Sequence, residues 1–176
     1  MSTTIEQTTI SAPAGTWQAD PVHSSVGFEV TYLGVATFTG ELTDFEATLS
    51  DGTLAGKARV ASIEVKDENL KAHLQAPDFF DAERHPEVSF NGTAAREGVF
   101  EGEITIKGVT KPATLEGTIT GPITDPYGNE RYGLSFRTVV DRTQFGLDWN
   151  APLPGGGFAL ANDVTLKAEL SLVKAA

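Results

Sequence analysis

Cysteine is absent from the 176-residue sequence. That excludes a disulfide framework and a thiolate metal site, and leaves stability to packing and hydrogen bonds. Basic residues are few: 13 Lys and Arg stand against 24 Asp and Glu, for a formal charge of −11, and no Lys or Arg run interrupts the acidic background. Nucleic acid and anionic membrane surfaces both select basic stripes, so both are poor partners for this chain. Long hydrophobic runs are also missing. No stretch approaches the roughly 18 consecutive apolar residues of a spanning helix, so no integral membrane segment is expected. The opening MSTTIEQTTISAPAG has neither the basic start nor the apolar stretch of a secretory signal, which leads to the expectation of a cytoplasmic protein.

What is present is a period of two. The length fits one domain by the usual prior of roughly 100 to 200 residues. Residues 1–15, rich in Thr, Ser and Ala, read as a flexible arm ahead of a domain spanning 16–176. From there apolar residues recur at alternate positions: Val26 to Tyr32, Ala36 to Leu42, Phe45 to Leu49, Leu54 to Ile63, Val88 to Ala94, Val99 to Ile106, Ala113 to Thr120, Tyr132 to Val140 and Val164 to Val173. This is strand periodicity. Asp51-Gly52 supplies a hairpin signal, and Asp125-Pro126-Tyr127-Gly128-Asn129 reads as a turn. Eight or so strands with short connections form an antiparallel meander, which escapes its exposed edges by closing into a barrel or folding into a sandwich.

One segment breaks the pattern. Between Lys66 and Phe80, Leu70, His73 or Leu74, and Pro77 fall near helical spacing, with Asp67 placed as N-cap, so a short helix is expected there. Pro77 and Pro86 then bracket Asp78-Phe79-Phe80-Asp81, leaving two aromatic rings on an irregular connector suited to a lid. Small residues occupy inward positions of several strands: Gly40, Gly56, Ala58, Gly92, Ala94, Gly102, Gly117 and Ala168. Either the interior lacks volume and holds a ligand, or these positions let the sheet bend; the pattern leaves both open.

Trp17, Asp20-Pro21-x-His23-Ser24, Phe28 to Gly34, His73-Leu74-x-x-x-Asp78-Phe79-Phe80-Asp81, Pro86-x-x-x-Phe90, Ile104-Thr105-Ile106-x-Gly108-Val109-Thr110-Lys111-Pro112 and Arg142-Thr143-x-Phe145-Gly146 occur in that order. Together they resemble the YceI-like family of bacterial polyisoprenoid-binding proteins, from about Thr16 to Val173. The resemblance implies an all-β fold, an eight-stranded antiparallel lipocalin-like β-barrel with a short helix and loop as lid, and an apolar tunnel for a long isoprenoid tail of quinone or polyprenyl type. It also implies a binder with no covalent chemistry. The candidate lining is Phe28, Val30, Phe38, Leu42, Ala58, His73, Phe79, Phe80, Phe90, Phe136 and Phe145. The chain departs from the usual family pattern at Leu70-Lys71, Lys107 and Gln144.

Other chemistries find less support. His23, His73 and His85 lack the spacing of a zinc site. His73 and His85 flank the lid, where they either meet a ligand's polar end or hold the loop. Asp20, His23 and Ser24 include the residue types of a hydrolase triad, but neighbours on a strand face opposite ways. Gly155-Gly156-Gly157 lacks the strand and helix of a phosphate loop. Trp17 and Trp149 read as barrel-end packing residues. No cofactor, metal or catalytic residue is therefore expected, and the partner is a long-chain isoprenoid lipid; a homodimer is compatible with an exposed strand face. An enzyme using His73 or His85 as acid or base, and a ligand-free interaction scaffold with a filled barrel, are the competing functions. Each buried methylene contributes about 0.8 kcal/mol while association costs roughly 4 to 15 kcal/mol, so several isoprene units must enter before binding is tight.

Overall fold

The computed structural model describes residues 12–175. Eleven strands run β1 (Thr16–Ala19), β2 (Ser25–Tyr32), β3 (Ala36–Leu42), β4 (Phe45–Ser50), β5 (Thr53–Arg59), β6 (Ile63–Glu64), β7 (Glu87–Arg96), β8 (Val99–Ile106), β9 (Val109–Thr124), β10 (Glu130–Asp141) and β11 (Leu160–Lys174), with one helix, α1 (Glu68–Gln75). All pairings are antiparallel. β1 pairs with both β4 and β11, which closes the sheet. β1 and β2 lie end to end along β11, β3 and β4 form one bent strand, and β5 continues into β6. The closed structure is thus an eight-stranded antiparallel barrel with three interrupted staves.

Turn chemistry fixes the register. Asp51-Gly52 joins β4 to β5, and Lys107-Gly108 joins β8 to β9, each with positive φ at both central residues. These are the mirror-image turns whose twist matches the flanking strands. The alternation expected to continue from Leu54 to Ile63 stops at Arg59. Val60–Ser62 form a 3-10 turn, anchored where the Val60 N–H donates to the Pro86 carbonyl at 2.8 Å. Val60 and Ile63 are both buried, at the three-residue spacing of such a turn.

α1 begins where expected: the Asp67 carboxylate accepts from the N–H groups of Asn69 (2.8 Å) and Leu70 (3.2 Å), capping two otherwise unpaired donors. It ends at Gln75, and Ala76 is extended (φ −74°, ψ 164°), as the steric demand of the following Pro77 requires. No helix among the described residues is long and apolar enough to cross a membrane. Of the expected arm at 1–15, residues 1–11 lie outside the described residues. Within 12–15, Ala12 packs on a core cluster and the Ala14 carbonyl accepts from the Trp17 indole at 2.9 Å.

The two ends differ. At the end holding Thr16, the Asp51-Gly52 turn and Lys174, the barrel is solid: Leu49, Phe100, Leu134 and Leu172 are fully buried beside Trp17. The rings of Phe100 and Phe136 meet edge to face at 5.3 Å, and those of Trp17 and Tyr132 at 4.9 Å. Outside this end, Arg131 holds Asp125 at 2.7 Å and Asp20 at 3.0 Å, while His23 Nδ1 lies 2.8 Å from Asp20. These contacts hold the Asp20 carboxyl at about 2, below its ordinary 3.8, with His23 the first cause and Arg131 the second. Arg131 likewise holds Asp125 well below the usual carboxylate range. At the other end, α1, the 76–86 connector and the 142–159 segment surround an opening.

Candidate functional site

Between the solid floor and that opening lies a cavity of about 690 Å³, within the roughly 300 to 1,000 Å³ usual for small-molecule sites. Its floor is made by Ala47, Leu54, Leu115, Phe136, Ala168 and Leu170, directly above the packed end. Ten of the eleven candidate residues border it. Phe28, Val30, Phe38 and Leu42 do so from β2 and β3, Ala58 from β5, Phe90 from β7 and Phe136 from β10; His73, Phe79 and Phe80 come from α1 and the connector. Phe145 does not. It sits on the 3-10 turn Arg142–Phe145, 2 % exposed, in the buried cluster that also holds Leu74, Phe79 and Leu147.

The space arises at only a few of the places where small residues suggested missing volume. A Cβ on Gly40 would strike the Phe28 ring, and one on Gly92 the Phe90 ring, so aromatic rings already fill both places. At Gly102 and Gly117 a Cβ would overlap the backbone of Asn91 and Ser135 on the neighbouring strand; these glycines permit close strand approach. Ala94 packs on the floor cluster. Only Gly56, Ala58 and Ala168 of that set border the cavity. A Cβ at Gly56 would meet ordinary contacts, 3.6 Å to the Glu46 carbonyl oxygen and 3.7 Å to Ala47.

The lid is an aromatic assembly. His73 on α1 lies edge to face with Phe79 (4.8 Å) and with Trp149 (4.7 Å), and Phe79 meets Trp149 at 5.3 Å. Trp149 thus packs at the open end of the barrel and also borders the cavity. Lys107 joins the lid to the barrel: its ammonium donates to the carbonyls of Pro77 (2.8 Å) and Gly146 (3.2 Å). Leu70 faces the cavity, and Lys71 pairs with Glu64 at 3.1 Å on the outside. The departures at 70, 71 and 107 thus act in wall and lid. Gln144 is exposed on the 3-10 turn.

The remaining histidines stand elsewhere. His85 lies against the Gly108 turn and does not border the cavity, and the exposed His23 pairs with Asp20. No group of three or more metal-capable side chains forms among the described residues. Ser24 Oγ accepts from the Ser171 N–H at 2.9 Å and is tied to the sheet. Asp125 accepts from the N–H groups of Tyr127 and Asn129, both at 2.9 Å, the ordinary bonding of a turn.

Sequence reasoning missed the role of Arg142 within its motif. It borders the cavity, is 5 % exposed, and donates from Nε to the Ala161 carbonyl (2.9 Å) and from Nη1 to the carbonyls of Leu147 and Trp149. Burial pushes the guanidinium below its ordinary value, opposed by Asp141 and Asp148. Other charged residues along the cavity are more exposed and paired: Glu46 with Lys57 at 3.1 Å, and Lys167 with Glu29 at 3.0 Å.

One rim of the mouth is apolar. Tyr32, Leu33 and Val35 at the β2–β3 tip and Phe158 on the facing loop are exposed. The two segments are joined where the Leu33 N–H donates to the Ala159 carbonyl at 2.8 Å. No charged residue occurs between Glu29 and Glu41 or between Asp148 and Asp163.

Known proteins share this architecture. A UPF0312 protein of Staphylococcus aureus (strain N315) is 29% identical over 157 residues, covering 85% of this chain and 92% of its own. A UPF0312 protein of Pseudomonas putida (strain W619) is 28% identical over 137 residues, 71% of each chain. Among solved structures, BcnA of Burkholderia cenocepacia superposes with a TM-score of 0.67 at 18% identity, over 89% of this chain and 99% of its own. A polyisoprenoid binding domain from Saccharophagus degradans gives 0.68 at 8% identity, over 90% and 98%. At those identities the structures establish the shared fold. The YceI-like domain matches residues 17–172, nearly the whole barrel from Trp17 to Leu172, and the chain belongs to the YceI-like family.

Proposed function

We propose that the chain binds, stores or carries a long-chain polyisoprenoid lipid, of quinone or polyprenyl type, with its tail in the barrel cavity and no covalent chemistry. The observation that carries this reading is the shape and lining of the cavity. It has a solid floor, aliphatic and aromatic walls, and an opening under a lid of His73, Phe79 and Trp149. Such a site favours a flexible apolar chain, because each five-carbon isoprene unit transferred from water contributes about 4 kcal/mol. The uncharged rim formed by the β2–β3 tip and the loop holding Phe158 supports a ligand that arrives from an apolar phase. The polyisoprenoid binding domain of Saccharophagus degradans, which shares the fold, supports the choice of tail.

Solvent extraction of the purified protein followed by mass spectrometry tests this. A stoichiometric lipid with repeating isoprene increments is the expected result. A clean extract from protein that also fails to load with added polyprenols or quinones would sink the proposal and favour a ligand-free scaffold.

A further inference from the structure

Arg142 is the buried charge in the wall of an otherwise apolar cavity. It follows directly on the last residue of β10. Because Asp141 pairs with Asp163 while Arg131 pairs with Val173 beside the solid end, Arg142 stands at the mouth. Three backbone carbonyls hold the guanidinium through Nε and Nη1. Nη2 is fully buried and has no partner, although it carries two hydrogens to donate. No carboxylate of the described residues lies within ion-pair distance of this guanidinium. Asp141 turns instead to Thr143, accepting from its N–H at 3.0 Å and its hydroxyl at 2.6 Å, and Asp148 is exposed.

A buried cation with an unmade donor and no carboxylate in direct contact is unfavourable, since Asp141 and Asp148 act on it only from a distance. The arrangement makes sense when a ligand supplies what the protein withholds. We propose that Arg142 is the head-group site of the cavity: its guanidinium, which borders the cavity and forms no ion pair among the described residues, attracts the anionic head group, a phosphate or a carboxylate, of the isoprenoid whose tail lies in the barrel. This rests on the lipid-binding reading and adds a polarity to it. The floor is closed, so the tail enters first and the head stops at the mouth beside Arg142. The three carbonyl contacts fix the guanidinium before the ligand arrives, so little ordering remains to be done on binding. An anion is favoured over an alcohol because it offsets the buried charge.

The test uses the delipidated full chain and three probes with one tail: geranylgeranyl phosphate, geranylgeranoic acid and geranylgeraniol, titrated by calorimetry below their aggregation concentrations. At least one anion is expected to bind about tenfold or more tighter than the alcohol, and the anion that gains identifies the head. In Arg142→Met the three affinities should converge. Arg142 also anchors backbone, so a side-chain measurement on the unaltered protein serves if that variant does not fold. The ¹⁵N guanidinium resonance of Arg142 should shift with the favoured anion and stay in place with the alcohol. Equal affinities for all three heads in the unaltered protein would overturn the role of Arg142 while leaving the tunnel intact. Failure of all three to bind would overturn the tunnel itself.

Discussion

Gly56→Leu should raise stability and lower ligand affinity at the same time. Gly56 lies on the inward face of β5 between Leu54 and Ala58, opposite Ala47 and Phe90, and it borders the cavity. A Cβ there meets nothing closer than 3.6 Å, and φ is not in the left-handed region, so the backbone accepts a side chain without strain. Replacing a strand-interior glycine contributes about 0.5 to 1 kcal/mol by restricting the unfolded chain, and four added carbons fill empty apolar space. The delipidated variant should therefore gain about 1 kcal/mol or more, a rise of roughly 2 to 4 °C in melting temperature for a chain of this size. The same four carbons displace about as many of the tail, at about 0.8 kcal/mol each. The expected loss is about 3 kcal/mol of binding, roughly 200-fold in Kd. Denaturation of the delipidated protein and competition for a fluorescent prenyl probe read the two effects separately. A stabilised variant with unchanged affinity would show that the tail does not run past β5. A destabilised one would show that the space beside Gly56 is already occupied.

Three further outcomes follow from the lid and the outer clamp. Lys107→Met removes the two ammonium-to-carbonyl bonds that tie Pro77 and Gly146 together. At a net cost of about 1 kcal/mol it should speed ligand release roughly fivefold in stopped-flow measurements and raise amide exchange in residues 76–82; an unchanged release rate would mean the connector does not gate the cavity. Phe79→Ala empties a site 6 % exposed between His73 and Trp149 and should cost about 3 to 5 kcal/mol in urea unfolding. Phe80→Ala, only half-buried, should cost less stability and act mainly on tail affinity; equal losses would refute the division between core and lining. The Asp20 carboxyl is held at about 2 against an ordinary 3.8, and Asp125 is lowered as well. A carboxyl depressed on folding stabilises above its unfolded value and loses that contribution as pH falls through the folded one. Arg131→Met should therefore be less stable at pH 7, with the deficit narrowing between pH 4 and 2. A deficit constant across that window would show that the clamp is not electrostatic.

The barrel was legible because a half-buried antiparallel strand writes its faces into alternate residues, and nearly every strand here has one face inward. The helix was legible from Asp67, Leu70 and Pro77, each acting locally. Gly56 apart, the cavity was not legible from the inward glycines. Periodicity assigns a residue to a face but does not say where a neighbouring ring swings: Phe28 covers Gly40, and Phe90 covers Gly92. The open space lies along β2, β3 and β5, and depends on contacts between strands distant in sequence. The same limit applies at the mouth. Trp149 and Arg142 lie on and beside an irregular segment that repeats no period. Their places follow from carbonyls at Leu147 and Ala161 and from rings on α1.

The closure of the barrel bears on how a long tail can be accommodated. Rungs between β9 and β10 end at Glu116 and Arg137, so Val109–Leu115 and Thr138–Asp141 face each other without a ladder. Thr138 and Val140 border the main cavity, and Val139 is exposed. Unpaired strand edges invite association with another strand. Here Pro112 sits within the unpaired stretch of β9, where it offers no N–H, while Lys111 beside it adds a charge that discourages docking. The wall is thus loosened near the mouth while its edge remains protected. At the opposite end, Trp17 closes against Tyr132 and the Arg131 clamp lies outside. Packing is tight at the floor and the β9–β10 ladder is open toward the mouth, so a proposed tail longer than the cavity would extend past the lid or between β9 and β10. On the proposed lipid-binding reading, the floor and Gly56 limit how deeply the tail enters, while Arg142 acts on the head.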